Sequence, residues 1–392
     1  MKNIKNMKVG VLVGQLSYVG GVGITAVNEV RELRKLGVDA QLIVIFRKKN
    51  FDSLKDFSAQ DIPVVFLSDS LPRGLRINFK FPVFSFFSFF HLSSIFWAPF
   101  VIDKYDAIIV HETYNSFCAI VCAKLFKFKL LTYLWDPVSY IVPKVYKKKI
   151  PLLFLPAVVF ISKMVDCFII KNSDRIILGS ELHEKFIKEI IPSRKIIKIP
   201  TGTKVLTKAN FNRKPLIIAL TKWDRGKNPE FLLDISSNLK LNFKFIIAGN
   251  WTDFEQEKEF KAEIKKRKLD KKVFVIGKVT EEEKFKLFSQ ARVLVHPIIE
   301  AFGMMALEAA GCGCPFIIPK NSGVTELFID KEHGFFVKEG DLNDFVEKIS
   351  LILGDKNISA LLGKKAYNYA AKYSWESHSK SILRLINLSL QQ

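Results

Sequence analysis

Apolar residues along this chain come in short runs, and the stretches between the runs carry apolar positions at helical spacing. Lys8–Val13 is the first run. A glycine-bearing loop, Gly14–Gly23, follows, and Ile24, Val27, Val30, Leu33 and Leu36 then step along one face of a helix. Gly37 stands where a residue in the left-handed conformation would end that helix. Further strands are predicted at Asp39–Phe46, Val64–Leu67, Ala107–Val110, Leu130–Leu134, Arg175–Leu178 and Ile196–Ile199. After a polar stretch near Pro200–Asn210 the alternation starts again, with strands at Leu216–Leu220, Phe243–Ala248, Val273–Ile276, Val293–His296 and Pro315–Ile318. Short strands alternating with helices predict parallel, doubly wound sheets. The expected architecture is α/β, with two Rossmann-like domains facing a central cleft: 1–203 and 204–374. A last amphipathic helix, Trp375–Leu388, lies in a tail, 375–392, that can pack back on the first domain. Open sheets of this kind bind ligands at the carboxyl ends of their strands.

Two apolar stretches interrupt the pattern. Phe81–Ile102 is uncharged and rich in Phe; Ile150–Ile170 is interrupted by Lys163 and Asp166. Pro82, His91, Pro99 and several serines make the first a poor bilayer span. Buried or surface-docking helices are the expectation, with a monotopic arrangement in view. Lys124, Lys127 and Lys129, together with Lys144 and Lys147 to Lys149, can meet anionic head groups beside those faces. The overall charge points the same way: 60 Lys and Arg against 39 Asp and Glu leave +21, a field that favours phosphates or an anionic membrane. No helix-turn-helix or aromatic-and-basic RNA pattern accompanies it, so nucleic acid is not an expected partner. No leader is expected, because Met7-Lys8-Val9 runs straight into the first strand. The five cysteines, Cys118, Cys122, Cys167, Cys312 and Cys314, lack zinc-site spacing and read as reduced, mostly buried thiols. A cytoplasmic protein, peripheral at the inner face of the membrane, is the expected setting.

The densest chemistry lies in His296-Pro297-Ile298-Ile299-Glu300-Ala301-Phe302-Gly303-Met304-Met305-Ala306-Leu307-Glu308. A strand ends here, a loop carries Glu300, and a helix begins near Gly303. Unpaired backbone N–H groups and the positive end of the helix dipole suit a diphosphate. Glu308, inside the helix, can accept hydrogen bonds from ribose hydroxyls, and Glu300 can reach hydroxyls of a sugar. A second cluster, Thr221-Lys222-Trp223-Asp224-Arg225-Gly226-Lys227-Asn228-Pro229, follows the first strand of the second domain. Cations there can neutralise a departing diphosphate. In the first domain Gly20-Gly21-Val22-Gly23 opens a helix. It is not the G-x-G-x-x-G of dinucleotide binders, and the second strand leads into Phe46-Arg47-Lys48 instead of an acid, which counts against NAD.

The first of these stretches resembles the E-x7-E motif of the family-4 retaining glycosyltransferases (the group 1 glycosyl transferases, of GT-B fold), a group that includes sucrose synthase and bacterial mannosyltransferases. Gly311-Cys312-Gly313-Cys314-Pro315, Ser322-Gly323-Val324-Thr325-Glu326, His333-Gly334-Phe335 and Gly340-Asp341 follow that family's order. The resemblance covers the second half of the chain and, more faintly, the first. It implies that Lys222 and Lys227 face the donor diphosphate. Lys222 stands where an Arg is usual, which replaces a bidentate contact by a point charge, and Arg225 is the nearest candidate to compensate. Glu308, Gly303, Met304, Met305 and Ala306 are implied on the donor side, with the strand-end glycines Gly249 and Gly277. Gly20, Gly21 and Gly23 resemble the family's loop near donor phosphates and acceptor, and His111-Glu112-Thr113-Tyr114-Asn115 resembles an acceptor-side loop. Many relatives carry a donor-sugar His near Trp135 and Asp136; here Trp135 and Asp136 stand in its region.

The function expected from the resemblance is transfer of a hexose-type sugar from a nucleoside-diphosphate sugar, UDP- or GDP-linked, to a glycan or lipid-linked acceptor. Anomeric configuration is retained, with Glu300, Lys227 and Lys222 in the catalytic roles. The sequence contains no Asp-x-Asp pair. Catalysis without a metal is therefore expected, with no cofactor beyond the nucleotide-sugar co-substrate. The alternatives are a sugar-nucleotide epimerase or phosphorylase on the same scaffold, or a basic membrane- or nucleic-acid-binding protein without activity.

Overall fold

The computed structural model describes residues 6–16, 20–47, 53–72, 94–135, 137–142, 150–187 and 195–392. It forms two compact units, Met1–Gly202 with Trp375–Gln392, and Thr203–Ser374.

The first unit holds a parallel sheet of seven strands: β1 (Lys8–Val13), β2 (Asp39–Val44), β3 (Val64–Phe66), β4 (Ala107–His111), β5 (Lys129–Tyr133), β6 (Arg175–Leu178) and β7 (Ile196–Lys198). Their spatial order is β3-β2-β1-β4-β5-β6-β7. β1 pairs with β2 from Lys8↔Asp39 to Val13↔Val44 and on its other side with β4 from Val9↔Ala107. The central strands are largely apolar and buried, as expected where helices cover both faces. The helix after β1, Gly21–Lys35, buries Ile24, Val27, Val30 and Leu33. Gly37 closes it with φ +88°, where its N–H reaches the Arg34 carbonyl at 3.0 Å.

The second unit repeats the plan with β8 (Leu216–Leu220), β9 (Lys244–Ala248), β10 (Val273–Gly277), β11 (Val293–Val295), β12 (Phe316–Pro319) and β13 (Gly334–Val337). The order is β10-β9-β8-β11-β12-β13, again all parallel. This is the doubly wound order in which chain direction across the sheet reverses between the first and fourth strands, here β8 and β11. Loops leaving the carboxyl ends of those two strands diverge, and a crevice opens between them. The two clusters singled out in the sequence, 221–229 and 296–308, are the loops that leave β8 and β11. β13 was not expected as a strand: Gly334-Phe335-Phe336-Val337 is only four residues long, and it sits on the open edge of the sheet beyond β12.

The tail forms one helix, Trp375–Leu390, which packs in the first unit against Gly21–Lys35. Among the described residues no helix is long and apolar enough to cross a membrane. Of the apolar stretch at 81–102, residues 81–93 lie outside the described residues. The remainder is a helix, Ser94–Val101, with Pro99 inside it. Ile150–Ile170 is mostly the helix Leu155–Asn172. All five cysteines are free thiols, and Cys118, Cys122, Cys312 and Cys314 are buried.

Candidate functional site

The loop after β8 is anchored by Trp223. Its side chain is fully buried, and its indole Nε1 donates to the Ala248 carbonyl at 2.8 Å. Alternation on either side of that anchor leaves Lys222 exposed. Asp224 then turns the chain by accepting the Gly226 N–H on its side chain (2.8 Å) and the Lys227 N–H on its carbonyl (2.9 Å). This turn carries Lys227 toward the neighbouring loop. Gly249, after β9, is required by close approach: a Cβ there would lie 1.8 Å from the Thr221 carbonyl oxygen, and its φ is +124°. Gly277, after β10, also has positive φ, and its carbonyl accepts the Gly249 N–H at 2.6 Å.

The loop after β11 is held from the opposite side. The Gly323 and Val324 N–H groups donate to the Glu300 and Phe302 carbonyls at 3.0 and 2.6 Å. The Ile299 N–H donates to Glu339 Oε1 at 2.8 Å. Gly303, with φ +97°, then makes the sharp entry into the helix Met304–Gly311. A side chain at 303 would crowd Val324 Cγ1 at 3.1 Å as well as strain the backbone. Met304, Met305 and Ala306 form the first turn of that helix, whose leading amides have no partner within a helix.

Lys227 and Glu300 meet between these loops. The Lys227 ammonium donates to Glu300 Oε1, and His296 Nε2 bonds to the same oxygen at 2.9 Å. Lys227 and Glu300 keep about a quarter of their side-chain surface, 23% and 26%, whereas His296 is buried. Burial alone would raise the Glu300 carboxyl. The hydrogen bond and charge of His296, and then Lys227, overcome that and hold it at about 2, so Glu300 is ionised throughout the physiological range. His296 Nδ1 is buried and has no partner among the described residues.

Glu308 lies deeper in the same helix and is 2% exposed. Its Oε1 accepts from Lys284 Nζ at 2.8 Å, and Lys284, itself buried, also reaches Glu281 Oε1 at 2.7 Å. Glu308 Oε2 is buried and has no partner among the described residues. Burial pushes the Glu308 carboxyl above the usual carboxylate range; Lys284 opposes the shift and Glu281 adds to it. One lysine is shared between two carboxylates, and the buried one, Glu308, takes up a proton more readily than a free carboxylate. Lys284 had no role in the sequence reading. In Glu281-Glu282-Glu283-Lys284 it reads as one more charge on a solvated helix face, and only the fold turns it inward.

The second unit thus gathers Lys227, Glu300 and His296 around one carboxylate oxygen, with Gly303 three residues beyond. Lys222 lies on the same loop as Lys227 with its side chain exposed. Arg225 does not compensate for Lys222 here: its guanidinium points to Asp253 and Glu259, at 3.9 and 3.5 Å, on the outer side of the loop.

In the first unit Gly20 caps the helix Gly21–Lys35, accepting the Ile24 N–H on its carbonyl at 3.0 Å, and Gly23 leaves room for the Phe57 ring. His111, at the end of β4, has no exposed surface. Its Nε2 bonds Glu29 at 2.8 Å and its Nδ1 accepts from Trp135 Nε1 at 3.1 Å. The other Glu29 oxygen meets His378 Nε2 at 2.7 Å, and His378 Nδ1 donates to the Pro200 carbonyl at 2.7 Å. Both ring nitrogens of His111 are thereby engaged inside the unit, so the ring reaches no solute at the surface. Trp135 is equally committed, stacked 4.4 Å from Tyr133. Asp136 lies outside the described residues.

Residues 206–369 match the family model described as Glycosyl transferases group 1. The chain is 26% identical over 208 residues to an uncharacterized glycosyltransferase of Methanocaldococcus jannaschii, covering 52% of this chain and 57% of that protein. It is 30% identical over 203 residues to a sucrose synthase of Melioribacter roseus, covering 45% and 25% of the two. The chain therefore spans from a quarter to just under three fifths of these relatives' own lengths. The Anabaena protein HepE, solved in complex with UDP and glucose, superposes with a TM-score of 0.74 at 16% identity over 97% of this chain and all of that one. A sucrose-phosphate synthase of Thermosynechococcus elongatus gives 0.73 at 18% identity over 98% and 99%. Those structural likenesses establish the fold, two parallel-sheet Rossmann-like domains of the GT-B type. The match to the group 1 glycosyl transferases thus lies within the second unit, Thr203–Ser374.

Proposed function

We propose that this protein is a retaining hexosyltransferase that takes a sugar from a nucleoside-diphosphate sugar, UDP- or GDP-linked, and needs no metal. The observation that carries the reading is the Lys227–Glu300–His296 cluster on the loops leaving β8 and β11, just before the helix that starts at Met304. An ammonium group has three N–H donors. With one on Glu300, Lys227 keeps two for the oxygens of a diphosphate. The helix amides and Lys222 add positive charge where the leaving group gains negative charge, and such prearranged charge is usually the largest catalytic contribution. The donor is assigned to the second unit, with Glu308, Gly249, Gly277 and Met304 to Ala306 around it. The acceptor is assigned to the first.

In the step proposed, the bond from the sugar's anomeric carbon to the diphosphate oxygen breaks and the acceptor oxygen bonds that carbon on the same face. The acceptor's hydroxyl proton leaves on the departing phosphate oxygen. Glu300, held ionised, positions the sugar and offsets positive charge growing on the ring; no covalent bond to it is required. The test is a thermal-shift screen against UDP-, GDP- and ADP-sugars, followed by NMR of the product's anomeric coupling and assay in EDTA. Stabilisation by one donor, retained configuration and unchanged rate in EDTA are expected. An inverted product would overturn retention, and loss of transfer restored by manganese would overturn metal independence.

A membrane-linked acceptor at an anionic surface is part of the proposal. Phe96 and Phe100 (86% exposed) stand out from the helix Ser94–Val101. Leu152, Leu153 (84%) and Phe154, then Phe160, Ile161, Met164 and Phe168, line the outer side of the second apolar stretch. Both helices pack on a third, Ser116–Phe126: Phe117 stacks on Phe168, and Ala98 shares a buried cluster with Cys118 and Cys122. Lys124, Lys127, Lys163 and Lys171 are exposed beside them. An apolar surface rimmed by lysines suits the boundary between anionic head groups and acyl chains. A curated relative from Campylobacter jejuni, 27% identical over 158 residues, is named for transfer to a diphospho-undecaprenol-linked acceptor. Cosedimentation with vesicles containing anionic lipid is expected, and loss of it in a Phe160→Glu, Met164→Glu variant. A protein that ignores such vesicles and uses only soluble acceptors would end this part of the proposal.

A further inference from the structure

The buried pair Lys284–Glu308 is arranged with one oxygen used and one left open. Lys284 comes from the helix Glu281–Gln290, whose capping box at Thr280 and Glu283 fixes its first turn. Lys284 Nζ lies over the Phe285 ring, 5.1 Å from its centroid. Its ammonium bridges Glu281 and Glu308. Glu308 Oε2 has no partner among the described residues, and a buried acceptor without a partner calls for an explanation.

We propose that Lys284 is the positioning residue of the donor site: it holds Glu308 through Oε1 and so presents Oε2 to a hydroxyl of the nucleotide's ribose. The inference rests on the donor reading of Glu308. A vicinal diol offers two O–H donors, which a carboxylate accepts and a protonated carboxyl accepts less well. The charged groups facing Glu308 are Lys284 and Glu281 from one helix and, at the end of its own helix, Cys312, whose thiol burial keeps neutral. The helix Lys356–Ala370 and the turn Gly323–Leu327, which also pack on this helix, contribute Ala366, Ala370 and Val324 to the cluster. Nucleotide binding therefore selects the ionised form of Glu308, and the ribose contact strengthens as pH rises.

The experiment is calorimetric titration of the intact chain with UDP, GDP and ADP, continued with the tightest of these and its 2′,3′-dideoxy form. Lys284→Met keeps the length of the side chain and removes its charge. Expected is a rise of about tenfold in Kd for the ribonucleotide, the scale of one hydrogen bond to a charged group. The Kd of the dideoxynucleotide stays unchanged, and Lys284→Arg recovers most of the loss. Equal weakening of both nucleotides would make Lys284 a purely structural residue and overturn the proposal. If Lys284→Met does not fold, the wild-type pH series decides. Preference for ribose over dideoxyribose is to grow from about pH 6 to about pH 8, and Glu281→Gln, which leaves Lys284 wholly to Glu308, is to move that rise to lower pH. A flat preference, or a rise unmoved by Glu281→Gln, would also overturn it. Wild-type protein that binds none of the three nucleotides refutes the donor reading itself, a distinct outcome.

Discussion

Each unit buries a glutamate, and the two are treated in opposite ways. In the first unit Glu29 has both oxygens bonded, one to His111 and one to His378. The outer nitrogens of those rings are in turn engaged by Trp135 and the Pro200 carbonyl. Although burial alone would raise it, the charges and hydrogen bonds of His111 and His378 hold its carboxyl at about 2. In the second unit Glu308 has one oxygen on a shared lysine and one on nothing, and its carboxyl is pushed up. A satisfied network holds elements together; here it ties the tail helix Trp375–Leu390 to the helix Gly21–Lys35. An unsatisfied buried group calls for an explanation, and at Glu308 the donor reading supplies one. His296, whose buried Nδ1 has no partner among the described residues, beside the partly buried Glu300, falls on the same side as Glu308.

The comparison breaks most sharply on stability. Glu29→Ala leaves two buried histidines facing a void, and removal of one partner from a buried charged network costs about 3–5 kcal/mol. A large fall in Tm is expected by calorimetry, and a smaller one for Glu308→Ala, because Lys284 keeps its second partner Glu281. Similar losses for both would erase the distinction. On catalysis the ranking reverses. Lys227→Ala is expected to lower kcat about 100-fold or more, the usual loss for one donor to a developing charge, with the fold intact by circular dichroism. A near-normal rate removes Lys227 from the mechanism. Glu308→Ala is expected to weaken nucleotide binding by about tenfold, the scale of a hydrogen bond to a charged group, with kcat at saturation little changed.

The smallest effect expected is the pH dependence of stability. Glu29 and Glu300 are depressed below their usual range, so their contribution is complete above about pH 4.5 and is lost as pH falls toward about 2. Glu308 is raised, so the folded second unit binds a proton more readily than the unfolded chain. Its contribution is complete below the ordinary carboxylate range and declines as pH climbs through the raised value. Acid is thus expected to cost the first unit its Glu29 contribution and the second its Glu300 contribution, whereas the Glu308 contribution is lost toward higher pH. Urea unfolding followed at several pH values reports this. A Glu308→Gln variant whose stability follows the same pH curve as wild type would contradict it.

Much of the fold could be read along the chain because a buried parallel strand is a run of apolar residues with little else to be. Lys8–Val13, Arg175–Leu178 and Leu216–Leu220 coincide with β1, β6 and β8, and Gly37 and Gly303 have the positive φ their positions demand. β13 escaped because four residues with a glycine at the front carry too little pattern, and its place on the sheet edge comes from pairing with β12. At the site, residue type and spacing singled out Lys227, Glu300 and Glu308. They could not tell that Arg225 turns outward to Asp253 and Glu259, that His111 is sealed against Glu29, or that Lys284 turns inward. Those outcomes depend on which face of a loop or helix the tertiary packing covers, and a charged residue looks the same in sequence on either face.

The most direct measurement is a crystal structure of the chain with its preferred nucleoside diphosphate, chosen by the thermal-shift screen. The account predicts phosphate oxygens bonded to Lys227 Nζ and to the amides at Met304 and Met305, with the ribose on Glu308 Oε2. A diphosphate bound elsewhere, with Lys227 still closed on Glu300 and Glu308 Oε2 still bare, would contradict it.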